Sequence, residues 1–177
     1  MGLKMIVRVF AAGIALSLAA CSPAGSVAQD PPTDTASAKP AALPVSPAGL
    51  TVIEVSVTSS DQVFTFKTEL AASQEEQGRG MMFRTEMGDD EAMLFPSYEA
   101  QPRSFWMKNT PLALDIIFIG PDKRITNIEA GVPYNTNSVF SEGPALAVLE
   151  IRGGLAAELG IKPGDAVAFE LPAGAQL

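Results

Sequence analysis

Residues 51–67 read TVIEVSVTSSDQVFTFK, and this stretch decides the fold. Apolar and polar side chains alternate from 51 to 57 and again from 63 to 67, as they do in strands with one buried face. Ser59, Ser60 and Asp61 lie between the two runs and favour a turn. The sequence therefore predicts a β-hairpin at the start of a β domain.

Similar short runs continue toward the C-terminus, separated by closely spaced turn signals. They predict strands at 93–95, 103–108, 112–119, 124–129, 145–152 and 166–171. Ser73 and Glu76 have the spacing of a capping box, which predicts a short helix ended by Gly78 and Gly80. Residues 155–159 predict a second helical turn. About seven or eight strands with two short helices indicate a mainly β fold, either a small jelly-roll-like sandwich or a barrel.

The composition excludes several kinds of site. The chain has 177 residues, no histidine and a single cysteine, Cys21. Serine–histidine triads, zinc sites built on His or Cys and disulfides within the domain are therefore excluded, and no metal or cofactor is predicted. Without Lys4 and Arg8, which fall in a predicted leader, ten basic and twenty acidic side chains remain, a net charge of −10. That charge argues against nucleic acid as a partner and against electrostatic docking on anionic lipid.

The N-terminus resembles the leader of a bacterial lipoprotein. Lys4 and Arg8 precede an uncharged apolar run at 9–20 that suits the core of a signal peptide. The run ends in Leu-Ala-Ala-Cys, which resembles a lipobox. We therefore expect residues 1–20 to be a signal peptide and Cys21 to carry the lipid that anchors the protein to a membrane. Ordinary secretion, with cleavage after Ala28 and no lipid, is the alternative.

A linker separates the predicted anchor from the β domain. Residues 21–50 hold Cys21 and a stretch rich in proline and alanine without any apolar period, which is typical of a disordered tether. Residues 51–177 then form the β domain. Ser22 follows the cysteine, and by resemblance to lipoprotein sorting rules it favours the outer membrane, with the domain facing the periplasm.

Residues 104–115 read SFWMKNTPLALD and form the candidate site. As a hairpin with a two- or four-residue loop, this stretch would bring Trp106, Lys108 and Asp115 to one face. A three-residue loop would shift the register and break the grouping. The polar face is either a structural ion pair or the floor of a pocket, in which Trp106 stacks on a ring or a sugar. Asp115 lies in an apolar run and needs a partner: Lys108, Arg84 or backbone amides.

Three other features have a structural and a functional interpretation. Glu150 interrupts an apolar strand and could join the same pocket, or it could be a charge that protects an edge strand. Five methionines between 81 and 107 could bind Cu(I), although methionine is more often a gap-filler in cores. The acidic residues 89–91 lack the spacing of a calcium loop and are expected to be solvated.

Several motifs resemble the domain of unknown function 192 family of bacteria and archaea. They read EQGRGMMFR at 76–84, MLF at 93–95, SFWMKNT at 104–110, VLE at 148–150 and GDAV at 164–167. The resemblance covers about 52–171 and implies a small β-sandwich related to jelly rolls, often exported, with no established activity. The signature positions implied by the resemblance are Arg79, Arg84, Trp106, Lys108, Asn109, Asp115 and Glu150.

Three functions remain open at this point. The first is a binding module for a small polar ligand or glycan, with a site formed by Arg84, Trp106, Lys108, Asn109, Asp115 and Glu150. The second is a structural or assembly lipoprotein that has no ligand. The third and least favoured is a hydrolase of envelope polysaccharide, which would need Asp115 and Glu150 about 5 to 9.5 Å apart across one cleft.

Overall fold

The computed structural model describes residues 43–175. Cys21, the predicted signal peptide and most of the predicted linker lie outside these residues, so those predictions stay predictions. Within residues 43–175, no helix is long and apolar enough to cross a membrane.

Seven strands and two short helices form this part of the chain. The strands are β1 (Val52–Ser59), β2 (Gln62–Leu70), β3 (Glu91–Phe105), β4 (Leu114–Ile119), β5 (Ile125–Gly131), β6 (Val139–Arg152) and β7 (Ala166–Phe169). The helices are α1 (Gln74–Arg79) and α2 (Leu155–Leu159). The prediction of a mainly β fold with two short helices is confirmed.

The predicted hairpin at the start of the domain is present. Strands β1 and β2 pair antiparallel, and the last pair before the turn is Ser59 with Gln62. Ser60 and Asp61 form the two-residue turn with positive φ angles of 47° and 68°, as a turn that matches the twist of the strands requires. The capping box at Ser73 and Glu76 is also formed and opens α1.

The strands form a single mixed sheet in the order β5-β4-β6-β3-β2-β1-β7. The sheet curls into a half-barrel, and β2 with β3 is its parallel pair. At one end of the sheet, Arg124, which directly precedes β5, forms an antiparallel bridge with Ala166 of β7. The two outermost strands of the sheet therefore lie side by side at that end. The amide of Val167 donates to the carbonyl of Lys123 there, at 2.8 Å.

The hairpin predicted for 104–119 is wrong. Strand β3 pairs with β6 from Met93 to Phe105, and β4 pairs with the other edge of β6. Residues 106–113 form a loop instead of a tight turn. The reason is the length of β6, whose 14 residues offer both edges for pairing. Sequence patterns report alternation within a strand, but they do not report which neighbour the strand finds.

Pro96 lies inside β3, which extends well beyond the strand predicted at 93–95. Strand β3 pairs with β2 only as far as Leu94, so Pro96 has a strand neighbour on one side only. The register shifts between Pro96 and Gln101, and β3 then continues to Phe105. A proline is tolerated where a strand has a neighbour on one side only, because the free side needs no N–H donor.

Two apolar layers cover the two faces of the sheet. The inner layer draws side chains from all seven strands, so it fills the inside of the curl, and Leu155 and Ala156 of α2 pack against it. The outer layer lies on the central strands β3, β4 and β6 and is covered by Met81 and Met107 from loops.

Candidate functional site

Three loops meet at one surface of the domain and are joined through their backbones. We call them the phenylalanine loop (80–90), the tryptophan loop (106–113) and the tyrosine loop (132–138). The amide of Phe83 donates to the carbonyl of Asn109 at 2.8 Å, and the amide of Tyr134 donates to the carbonyl of Thr110 at 3.0 Å. The amide of Met107 donates to the carbonyl of Asn135 at 2.8 Å. The tryptophan loop is thus held between the other two.

Each of these loops contains one non-glycine residue in the left-handed backbone region. The φ angles are +64° at Phe83, +57° at Asn109 and +61° at Tyr134. Asparagine adopts this conformation with little strain, but bulky side chains such as phenylalanine and tyrosine rarely do. Such residues cost about 1–3 kcal/mol each and occur most often at functional sites. The strain is therefore concentrated where the three loops join.

The loops expose three aromatic side chains, which we call the aromatic surface. Phe83 is 72% exposed, Tyr134 is 64% exposed and Trp106 is 48% exposed. The ammonium of Lys108 lies 5.2 Å from the centroid of the Trp106 ring, within the range of a cation–π contact. Large apolar side chains in water are unfavourable, so three of them on strained loops indicate a contact surface.

A groove continues from the aromatic surface. Its volume is about 560 Å³, and its lining includes Met81, Met82, Phe83, Arg79, Arg84 and Glu69. Arg84 and Glu69 form an ion pair at 2.5 Å, and both side chains are largely buried. The side-chain amide nitrogen of Asn109 lies 3.9 Å from the sulfur of Met82, and this contact connects the groove to the tryptophan loop. The size and the mixed polarity of the groove suit a small ligand.

Asp115 is not part of this surface. It lies in β4 on the inner face, and its two carboxylate oxygens accept hydrogen bonds from the amides of Gly154 and Ala156, at 2.9 and 2.8 Å. Asp115 therefore satisfies free amides at the start of α2, the backbone partners that a buried carboxylate requires. The predicted grouping of Asp115 with Trp106 and Lys108 is wrong, because strand β6 separates β4 from β3.

Glu150 is buried on the opposite face from Asp115. In the ladder between β4 and β6, Glu150 lies beside Ile116, whereas Asp115 lies beside Ile151. Neighbouring residues in a strand point to opposite faces, so the two carboxyl groups face different layers. They do not flank one cleft, and these two residues do not form the carboxylate pair that a polysaccharide hydrolase needs.

The environment of Glu150 is almost entirely apolar. The residue is 4% exposed, and its Oε2 has no hydrogen-bond partner among residues 43–175. Met93 and Ile116 flank it on the neighbouring strands. Burial disfavours the charged form and raises the pKa of Glu150 to about 8. Glu150 is therefore a neutral acid in the outer layer at pH 7, and it lies on a central strand, which makes the edge-strand interpretation wrong.

Of the six predicted ligand-binding residues, the structure brings four to one region. Trp106, Lys108 and Asn109 lie in the tryptophan loop, and Arg84 lies in the phenylalanine loop that contacts it.

Met81 and Met107 pack in the outer layer, as expected of gap-filling methionines. Within residues 43–175, no group of three or more acidic, His or Cys side chains could hold a metal ion.

Phe83 and Tyr134 were missed as candidates by the sequence reasoning. Both are aromatic residues outside any strand pattern, and Tyr134 lies in the turn-rich stretch VPYNTN at 132–137. An aromatic residue inside a cluster of turn formers is the signal that could have identified Tyr134. Phe83 carried no such signal, because it follows directly on two methionines.

Comparison with known proteins identifies the family. The model of the domain of unknown function 192 (DUF192) family, described as uncharacterized, matches residues 55–169. The chain belongs to the DUF192 family. None of the curated proteins matches the sequence.

Two solved structures resemble this DUF192 protein. One is a protein of unknown function from Novosphingobium aromaticivorans, 50% identical, with a TM-score of 0.70 over 73% of this chain and 94% of the other. The second is a proposed transcription regulator from Sinorhizobium meliloti, 34% identical, with a TM-score of 0.65 over 68% of this chain and 95% of the other. The predicted family membership is confirmed.

Proposed function

We propose that this DUF192 protein is an exported lipoprotein, anchored at Cys21, whose β domain binds a glycan or another small polar ligand. The observation that carries the binding proposal is the aromatic surface: Phe83, Trp106 and Tyr134, exposed on three loops that are joined through their backbones. The site consists of these rings with Lys108, Asn109 and the adjoining groove.

The chemistry of the surface favours a ligand with flat apolar faces and polar edges. The faces of sugar rings stack on aromatic side chains, whereas hydroxyl groups need hydrogen-bond partners. Lys108 donates only, and the side chain of Asn109 can both donate and accept. Of the two arginines that line the groove, Arg84 is paired with Glu69, so Arg79 is the one that could bind an acidic substituent on the ligand.

A structural or assembly role without a ligand is the second candidate. It is supported by Asp115, whose two oxygens are both used inside the chain, and by Glu150, which lies among apolar neighbours. Asp115 therefore needs no ligand to explain its burial. The strained aromatic loops have no such internal explanation, and for that reason binding ranks first.

Binding is tested with the full chain carrying Cys21→Ala, which removes the proposed lipid attachment. Its melting temperature is measured with muropeptides and oligosaccharides, and the hits are titrated. Trp106→Ala should weaken binding about fivefold to tenfold, since an aromatic contact contributes about 1 kcal/mol beyond its buried area. Tyr98→Ala is the matched control, because Tyr98 is an exposed aromatic residue outside the three loops. Equal affinities for the two variants would contradict the proposed surface.

Anchoring is tested separately by fractionation of cells. The wild-type protein should sediment with outer membranes, and Cys21→Ala should appear in the soluble periplasmic fraction. A Cys21→Ala protein that still sediments with membranes would show that the anchor does not depend on the cysteine.

A further inference from the structure

Arg103 is a half-buried cation that lies away from the groove beside the aromatic surface. It belongs to β3 and lies at the second of two register shifts in the pairing with β6, between Pro102 and Ser104. Its guanidinium carbon lies 5.5 Å from the centroid of the Phe105 ring, in the range of a cation–π contact. Phe105 in turn packs edge to face against Phe95, with the ring centroids 5.0 Å apart. The guanidinium therefore rests on a rigid aromatic support.

Neutral groups fix the orientation of this guanidinium. One terminal nitrogen donates to the hydroxyl of Ser97, and the other donates to the side-chain oxygen of Gln77 at 3.1 Å. The amide nitrogen of Gln77 donates to the carbonyl of Pro96 at 2.9 Å, which turns the side-chain oxygen toward Arg103. Side chains from helix α1 and strand β3 thus hold Arg103 in place.

The charge of Arg103 has no internal partner. Among residues 43–175, no carboxylate lies within 4.0 Å of its guanidinium, whereas Lys67, Arg84 and Arg152 each form an ion pair. Burial lowers the pKa of Arg103 from its ordinary value, which reflects the unfavourable removal of the charge from water. An anion from outside the chain that binds such an unpaired, partly buried cation would offset this cost.

The space beside Arg103 is open and polar. A cavity of about 470 Å³ is lined by residues that include Gln77, Ser97, Gln101, Arg103 and Ser104. A guanidinium has five N–H groups, and neutral acceptors hold two of them here. The remaining donors suit the paired oxygens of a phosphate or a carboxylate, which arginine binds with two parallel hydrogen bonds.

We propose that this cavity is an anion-binding site in which Arg103, with Ser97 and Gln77 as its orienting partners, binds a phosphate or carboxylate group of a small molecule. The oxyanion neutralises Arg103 and accepts hydrogen bonds from it. Hydroxyl groups of Ser97 and Ser104 are available as further donors. The site is independent of the aromatic surface and does not rest on the proposed glycan binding.

The test is a titration of the full chain carrying Cys21→Ala with inorganic phosphate and, separately, with acetate, at constant ionic strength kept with chloride. The readout is the NMR signal of the Arg103 side-chain Nε–H and of the backbone amides around Ser97. We expect a saturable shift of these signals, and we expect the amide shifts in Arg103→Gln to be lost or to show an affinity at least tenfold weaker. A larger response to phosphate than to acetate would identify a phosphate group as the preferred ligand, and the reverse would identify a carboxylate.

Two further variants separate binding from folding and from net charge. Arg124→Gln removes the same charge at an exposed arginine that donates to the carbonyl of Gly164, and it should retain the affinity within twofold. Ser97→Asp keeps Arg103 in place but supplies an internal carboxylate, so it should abolish anion binding even if Arg103→Gln unfolds. Saturable binding that persists in Ser97→Asp, or amide shifts that are equal in the wild type and Arg103→Gln, would overturn the proposal.

Discussion

Glu150→Gln should change how the stability of this domain depends on pH. In the folded protein, burial raises the pKa of Glu150 to about 8, from an ordinary value of 4.5. Between pH 4.5 and about pH 8, the folded state therefore keeps a proton on Glu150 that the unfolded chain has released. The contribution of Glu150 to stability is fully present below about pH 4.5, declines as the pH rises and is completely lost above about pH 8.

The size of this change in stability follows from the difference between the two pKa values. A difference of one in pKa corresponds to about 1.4 kcal/mol, so the rise from 4.5 to about 8 corresponds to a loss of about 5 kcal/mol over the whole interval. About 3 kcal/mol of this loss has occurred by pH 7. The glutamine in the variant would not titrate, because a side-chain amide stays neutral at every pH in this range. Relative to the wild type, the variant should therefore become more stable as the pH rises.

The assay is urea denaturation of both proteins from pH 5 to pH 9, each carrying Cys21→Ala. The difference in unfolding free energy between Glu150→Gln and the wild type should grow by several kcal/mol and level off above about pH 8. Glu99→Gln is the matched control, because Glu99 is exposed and the change also removes one carboxyl group. Parallel curves for Glu150→Gln and the wild type would refute the reasoning that Glu150 is a buried neutral acid.

Substitutions at three further positions test other features. Asp115→Ala leaves two amides at the start of α2 without acceptors and should lower the unfolding free energy by about 2–4 kcal/mol in urea denaturation, with Asp115→Asn less harmful. Gly153→Ala should destabilise by about 1–3 kcal/mol, because its Cβ would lie 2.8 Å from the backbone of Ala113; an unchanged midpoint would contradict this close approach. Phe83→Gly should raise the unfolding free energy by about 0.5–1 kcal/mol by relieving the left-handed backbone, while it weakens ligand binding; a loss of stability would argue against strain there.

Local features were the ones that the sequence predicted well. The hairpin of β1 and β2 depends on alternation and on a turn that directly joins the strands, so neighbouring residues determine it. The capping box of α1 likewise needs only Ser73 and Glu76.

Strand pairing over long distances could not be predicted in the same way. Strand β6 inserts between β3 and β4 although it follows both in the chain, and no local pattern in 104–119 reveals this. That one insertion moves Asp115 away from Trp106 and places it at the start of α2. For the same reason, the sequence identified Trp106, Lys108 and Asn109 beside the aromatic surface but gave the wrong account of how they are held together.

The bridge between Arg124 and Ala166 has a consequence for behaviour at high concentration. The unpaired edge of a sheet can form hydrogen bonds with a strand of another molecule, and repeated addition of molecules in this way leads to fibres. Here the outer edges of β5 and β7 are hydrogen-bonded to each other at one end, so part of each edge is already paired within the same molecule. A protein crowded on a two-dimensional surface, as the proposed lipid anchor would cause, gains protection against polymerisation from this self-pairing.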